Sequence, residues 1–243
     1  MISHPSEIST RPGRPLRRRL MLWCVLLVMA MSIPAARAGR VKTPADTITA
    51  ATAFLRIPQQ ELDLLSLSMR QDMLDYMQQR DSVYKKANIY RGLSWIETLK
   101  PDYISVHLSE VSSLQIKLLP LKGSGLPLVM TVYTIDDGNG TADSTVSFYD
   151  NSMRPLPTGK YLKTPDPKDF YDIPKDAPVS RRDMEEAFPF YTFCMKVDPE
   201  SGNLTGELTS ANMLTLEQSE LLKPYLRTAL HWDWTGKNFR LRQ

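Results

Sequence analysis

The sequence predicts an α+β fold: an antiparallel β-meander covered on one face by N-terminal helices, with a second, smaller antiparallel α+β unit at the C-terminus. Three observations carry this. Between Tyr103 and Tyr149 four apolar and β-branched runs follow one another, at 103–108, 114–119, 128–135 and 145–149. Their links are too short for helical crossovers, so the strands pair antiparallel. Upstream, Leu62, Leu65, Met69, Met73 and Tyr76 recur at three- and four-residue steps, an apolar stripe wide enough to cover a sheet. Downstream, a proline-rich segment separates the meander from further strand-like runs.

The first 38 residues read as a secretory leader. Arg17, Arg18 and Arg19 precede an apolar run at 20–33, which Pro34 breaks, and Ala36 and Ala38 are the small residues of a cleavage site. The run is shorter than the ~20 residues that a membrane span needs. Cleavage after Ala38 removes six of the 30 basic residues and one of the 27 acidic ones, leaving 24 basic against 26 acidic. The mature chain then carries no basic excess that would suit nucleic acid. Cys24 is lost with the leader, so Cys194 stands alone and an internal disulfide is excluded. The expected product is exported, periplasmic or secreted, with no transmembrane segment after cleavage.

Taken in order, the mature chain opens with a polar lead-in at 39–43 and a first helix from Pro44 through 45–54. Pro58 begins the helical stretch that carries the stripe. Ser68 and Gln71 have capping-box spacing, so two helices are expected there, at 58–65 and 69–80. Residues 81–101 are mixed, with Gly92 as a turn and Trp95 and Ile96 directed to the core. Gly123-Ser124-Gly125 and 136–144 supply turn chemistry within the meander. Prolines 155, 157, 165, 167, 174 and 178 rule out regular structure, while Tyr161, Phe170 and Tyr171 suit a strap docked on the surface. Ser180 caps a short helix at 180–187. Strands at 190–197 and 204–209 flank a hairpin loop, and a helical segment at 214–225 is ended or kinked by Pro224. Runs at 229–234 and 238–241 close the chain as a hairpin. The expected organisation is a leader at 1–38, helices plus a four-stranded sheet at 39–154, a strap at 155–179 and a second α+β subdomain at 180–243. Helices followed by strands occur twice, which allows a divergent duplication of one unit.

Several stretches carry a family likeness: Phe54-Leu55 with Pro58, Arg70 with Met73-Leu74-Asp75-Tyr76, the strands at 102–106 and 114–120, the run at 143–149, and Trp234, Gly236 and Phe239 near the C-terminus. In this layout the chain resembles an uncharacterised exported family of Bacteroidales, domain of unknown function 3256. The resemblance spans nearly the whole mature chain and implies a Gram-negative cell-envelope or secreted location. It implies no activity and no functional residues.

The residues themselves offer no catalytic, cofactor-binding or metal-ligating set. His107 and His231 have no Cys or His at ligand spacing. Asp136, Asp137, Asn139 and Asp143 fail the EF-hand pattern, since Phe148 stands where the twelfth-position Glu belongs, and a hairpin loop accounts for them. Ser124 lacks the nucleophile-elbow spacing, and Cys194 in an aromatic-flanked strand suits an inert buried thiol. Glu185 and Glu186 diverge on a helix and favour its N-terminal dipole. Two functions stay open. The first is a non-catalytic binding protein whose partner is a protein or envelope component, with Trp232 and Trp234 as candidate anchors, although core packing suits them better. The second is an envelope hydrolase, which a cluster of His107, a carboxylate and a hydroxyl in one cleft would favour.

Overall fold

The computed structural model describes residues 48–80 and 84–242, all within the compact unit Lys42–Gln243. The leader and its cleavage site lie outside the described residues.

Thr49 starts helix α1 (Ala50–Arg56): its hydroxyl accepts from the Thr52 amide, and the Thr52 hydroxyl answers the Thr49 amide. The helix therefore begins later than the proline at 44 suggested. Gln59–Glu61 form one 3-10 turn, and helix α2 (Leu67–Arg80) follows. The cap of α2 is Ser66, whose hydroxyl accepts from the Met69 amide at 3.3 Å; Ser68 lies inside the helix. Arg70 joins the two helices. Its guanidinium is buried and donates to the carbonyls of Phe54 and Ile57, both at 2.8 Å, and to Leu55 at 3.3 Å. The last carbonyls of α1, which have no partner within the helix, are thereby satisfied by a cation.

The meander is longer than the four expected strands. It runs β1 (Lys86–Ala87), β2 (Leu93–Lys100), β3 (Tyr103–Ser109), β4 (Ser112–Leu119), β5 (Leu128–Asp136), β6 (Ala142–Tyr149) and β7 (Pro155–Leu156), each antiparallel to the next. β2 falls in the segment read as mixed. A bulge between Ile96 and Thr98 shifts its register, so Glu97 breaks the alternation that would have marked the strand.

One face of this sheet packs on the helices as expected: Ile104, Val106, Leu114 and Ile116 share a core with Phe54, Leu62, Leu65 and Met73. The opposite face, expected to be solvated, is largely covered as well. A second sheet in the order β11-β10-β9-β8 packs there, made of β8 (Phe193–Val197), β9 (Leu204–Leu208), β10 (Leu230–Trp234) and β11 (Phe239–Leu241). Met195, Val197, Leu204 and Trp232 meet Leu119, Leu128, Met130 and Phe148 in a second core. The proline-rich strap seals its side with Tyr161, Leu162 and Phe170, and the Phe239 amide donates to the Tyr161 carbonyl at 2.7 Å. Helices α3 (Arg181–Ala187), capped by Ser180, and α4 (Leu216–Leu222), capped by Thr215, share a small cluster through Met184 and Leu222.

The second sheet meets the first through an edge. The amides of Phe193, Met195 and Val197 donate to Asp143 Oδ1 (3.2 Å), Ser144 Oγ (2.9 Å) and Gln115 Oε1 (3.2 Å). The outer edge of β8 therefore finds partners in side chains of the large sheet, in place of another strand. Buried Lys117 adds a latch from its Nζ to the Pro199 carbonyl and to Asp102 Oδ2, both at 2.6 Å.

Candidate functional site

Because β8 stands edge-on against the large sheet, one side of the junction closes as core and the other opens as a wedge. The wedge is a cleft of about 490 Å³. One wall is the upper part of the large sheet, with Ser105, His107, Ser113 and Thr134; the other is the outward side of β8, with Cys194 and Lys196. The turns at Glu110 and at Asp136–Gly140 form its rim.

The polar wall follows from strand alternation. On β3, Ile104, Val106 and Leu108 turn to the helices, which leaves Ser105 and His107 on the cleft side. The register places Trp95, His107, Ser113, Thr134 and Ser144 in one row across β2 to β6. His107 stacks on Trp95, with ring centroids 4.2 Å apart, and its Nε2 lies 3.4 Å from Glu97 Oε2. The Ser105 hydroxyl donates to the same Glu97 oxygen at 3.1 Å. The bulge that hid β2 from the sequence also hid Glu97 as a partner of His107.

A carboxylate, an imidazole and a hydroxyl thus meet in one cleft, but they are not joined as a nucleophile relay. Glu97 is the hub and takes both Ser105 and His107, whereas in a relay the imidazole stands between the other two. His107 contacts Trp95 and Glu97 on β2, and among the described residues no hydrogen bond joins it to Ser113, its cross-strand neighbour on β4. Cys194 is half-buried, and burial pushes its thiol up, away from thiolate character. Most of the other hydroxyls are engaged: Ser109 with Ser112 at 2.6 Å, and Thr134 with Ser144 at 2.8 Å. Ser113 makes no side-chain hydrogen bond among the described residues and lines the cleft.

The remaining candidates fall elsewhere. His231 is exposed, with Nδ1 3.1 Å from the Thr205 hydroxyl. Trp232 is buried and Trp234 half-buried; both pack in the second core, and Trp234 Nε1 donates to the Pro120 carbonyl. They are core residues. Asp137 accepts from the amides of Asn139 and Thr141, which holds its carboxyl below the usual range, and Asp143 accepts from Phe193. These carboxylates serve the loop and the sheet junction. Among the described residues no group of three or more His, Cys, Asp or Glu is placed to hold a metal ion. Ser124 sits in the β4–β5 connection and Glu185 lies 3.3 Å from Lys168, both away from the cleft lining. No described helix is long and apolar enough to cross a membrane.

The family described as "Protein of unknown function (DUF3256)" matches residues 43–239. No curated protein matches the chain. Among solved structures the chain is similar to a domain of an uncharacterized protein from Porphyromonas gingivalis W83. The two are 20% identical, the likeness covers 79% of this chain and 96% of that one, and the TM-score is 0.67. At that identity the likeness is one of fold.

Proposed function

The chain belongs to the family described as protein of unknown function (DUF3256), and from that premise we propose that it is an exported, non-catalytic binding protein of the Gram-negative cell envelope. Its ligand occupies the wedge between the two sheets. One observation carries this reading: the wedge has the volume of ordinary ligand sites, about 490 Å³, and converging polar groups on both walls. The leader pattern at 1–38 supports export, and processing after Ala38 gives a mature chain starting at Gly39.

A hydrolytic reading draws on a single observation, the contact of Glu97 with both His107 and Ser105. Binding accounts better for the wiring, because Glu97, and not the imidazole, stands between the other two groups.

Cys194 gives a direct test. A bimane fluorophore on its thiol sits in the cleft wall, and titration with a soluble envelope extract, proteins and peptides included, should give a saturable fluorescence change. The same label on a Cys194→Ser, Ser219→Cys variant should stay silent. Equal responses from both labels, or consumption of the ligand on incubation, would overturn the reading. N-terminal sequencing of envelope material checks the export half, and an intact leader would refute it.

A further inference from the structure

We infer that the occupant of the cleft is an extended polypeptide segment in which basic side chains are flanked by apolar ones. This rests on the reading of the cleft as the binding site.

Charge is the first ground. Glu97, Glu110 and Asp136 line the cleft. The lysine there, Lys196, is already 3.3 Å from Glu207, and the His107 ring faces Glu97. Glu110 and Asp136 have no ion-pair partner among the described residues. An anionic ligand is repelled by such a rim, and a cationic one is drawn in.

The second ground is the apolar surface beside it. Ile89, Tyr90, Leu93 and Val111 are all exposed, Tyr90 at 69%. They gather at the end of the large sheet where the β1–β2, β3–β4 and β5–β6 turns lie, the end that forms the cleft rim. The turns are joined there: Asn88 Nδ2 donates to the Leu108 carbonyl at 3.0 Å, and the Asp136 amide to the Val111 carbonyl at 2.8 Å. Exposed apolar residues rimmed by charge mark interaction surfaces, and Tyr, here Tyr90, is enriched at their centres.

The patch is also held in place. Buried Asn88 accepts from the amides of Tyr90 (3.1 Å) and Gly92 (3.0 Å), and the Ile89 amide donates to Leu64. The apolar side chains are therefore presented on a fixed turn, which reduces the ordering cost of binding. From β2 to β5 is three strand spacings, about 14 Å at ~4.8 Å each. The cleft lining itself runs over that span, from Glu97 on β2 to Thr134 on β5, and suits roughly four or five residues of extended chain.

Fluorescence anisotropy with a labelled heptapeptide of alternating Leu and Arg tests the inference. The controls are the same peptide with Glu for Arg, and unlabelled glucose and N-acetylglucosamine as uncharged competitors. The Leu/Arg peptide should bind saturably, at least tenfold tighter than the Leu/Glu one. Glu110→Gln with Asp136→Asn, or Tyr90→Ser, should weaken it at least tenfold in protein whose melting curve is retained. Amide shifts should map to 89–93, 107–113 and 134–140. Failure of the Leu/Arg peptide to bind, or equal binding of the Leu/Glu one, overturns the inference. A sugar that shifts cleft amides while the Leu/Arg peptide does not would overturn it and leave the cleft reading standing. Shifts confined to other surfaces would overturn both.

Discussion

Arg70 offers the sharpest test of what holds the helical layer on the sheet. It is 2% exposed, its partners are backbone carbonyls and the Gln59 side-chain oxygen, and among the described residues no carboxylate pairs with it. Burial lowers the pKa of its guanidinium from the usual range, yet the cation persists because the end of α1 offers partial negative charge. Removing the donors leaves the Phe54 and Ile57 carbonyls buried without them. Each orphaned acceptor costs ~1–3 kcal/mol. Arg70→Met, which keeps most of the aliphatic stem, should therefore cost ~2–6 kcal/mol. Arg70→Ala should cost about 1–2 kcal/mol more, from the lost methylenes at ~0.8 kcal/mol each. Arg70→Lys keeps the charge but not the fork that reaches two carbonyls in parallel, so it should fall between wild type and Arg70→Met. Urea unfolding with an unchanged slope would give these differences from the midpoints. A loss below ~1 kcal/mol for Arg70→Met would refute the claim that this cation ties α1 to α2.

Met73→Ala should cost ~2–5 kcal/mol by opening a cavity under α2, because Met73 is fully packed in the helix-facing core. His107→Ala, on the cleft side and half-buried, should cost under ~1.5 kcal/mol, and equal losses in denaturant melts would contradict the assignment of faces. Gly206→Ala should destabilise by ~1–3 kcal/mol, since a Cβ there would come within 2.7 Å of Met195 Sδ and 2.9 Å of Trp232 Cζ3; a neutral melt would show that the second core has slack. Burial and the bond to Glu61 push the Tyr149 phenol up to about 12. Its folded pKa thus lies above the unfolded value near 10, so its contribution is complete below about pH 10 and is lost as pH rises towards 12. Alkaline unfolding curves should show a shallower decline in that window for Tyr149→Phe; parallel curves would refute the assignment.

How far the sequence could be read depended on what each polar residue was for. Strands β3 to β6 were legible because their helix-facing positions, Ile104 to Leu108 and Leu114 to Leu118, alternate cleanly. The covering of the other face was not. Gln115, Lys117, Asp143 and Ser144 look like solvent-facing residues, but they are polar because they hold the edge amides of β8 and the Pro199 carbonyl. Strand alternation reports which face is apolar, and it is silent on polar side chains that take another element's backbone as partner. The cleft was hidden for a related reason. His107 was visible as a histidine without a motif, but Glu97 reaches it only because a bulge takes one residue out of register. The Trp95–His107 row across the sheet needs the pairing of strands, which no single stretch records.

The edge of β8 has a consequence for the order in which the chain assembles. Each meander strand pairs with its sequence neighbour, so the large sheet can form by successive local hairpins. The small sheet is different: its partners at Gln115, Asp143 and Ser144 lie some fifty to eighty residues earlier. Until the meander exists, the amides of Phe193, Met195 and Val197 form an open strand edge above an unfinished apolar surface, a template for pairing with another copy. The N-terminal sheet therefore acts as the mould on which the C-terminal one sets. A chain that crosses a membrane amino end first presents the two in that sequence, and a circular permutant that releases β8–β11 ahead of the meander should aggregate during refolding where the native order does not.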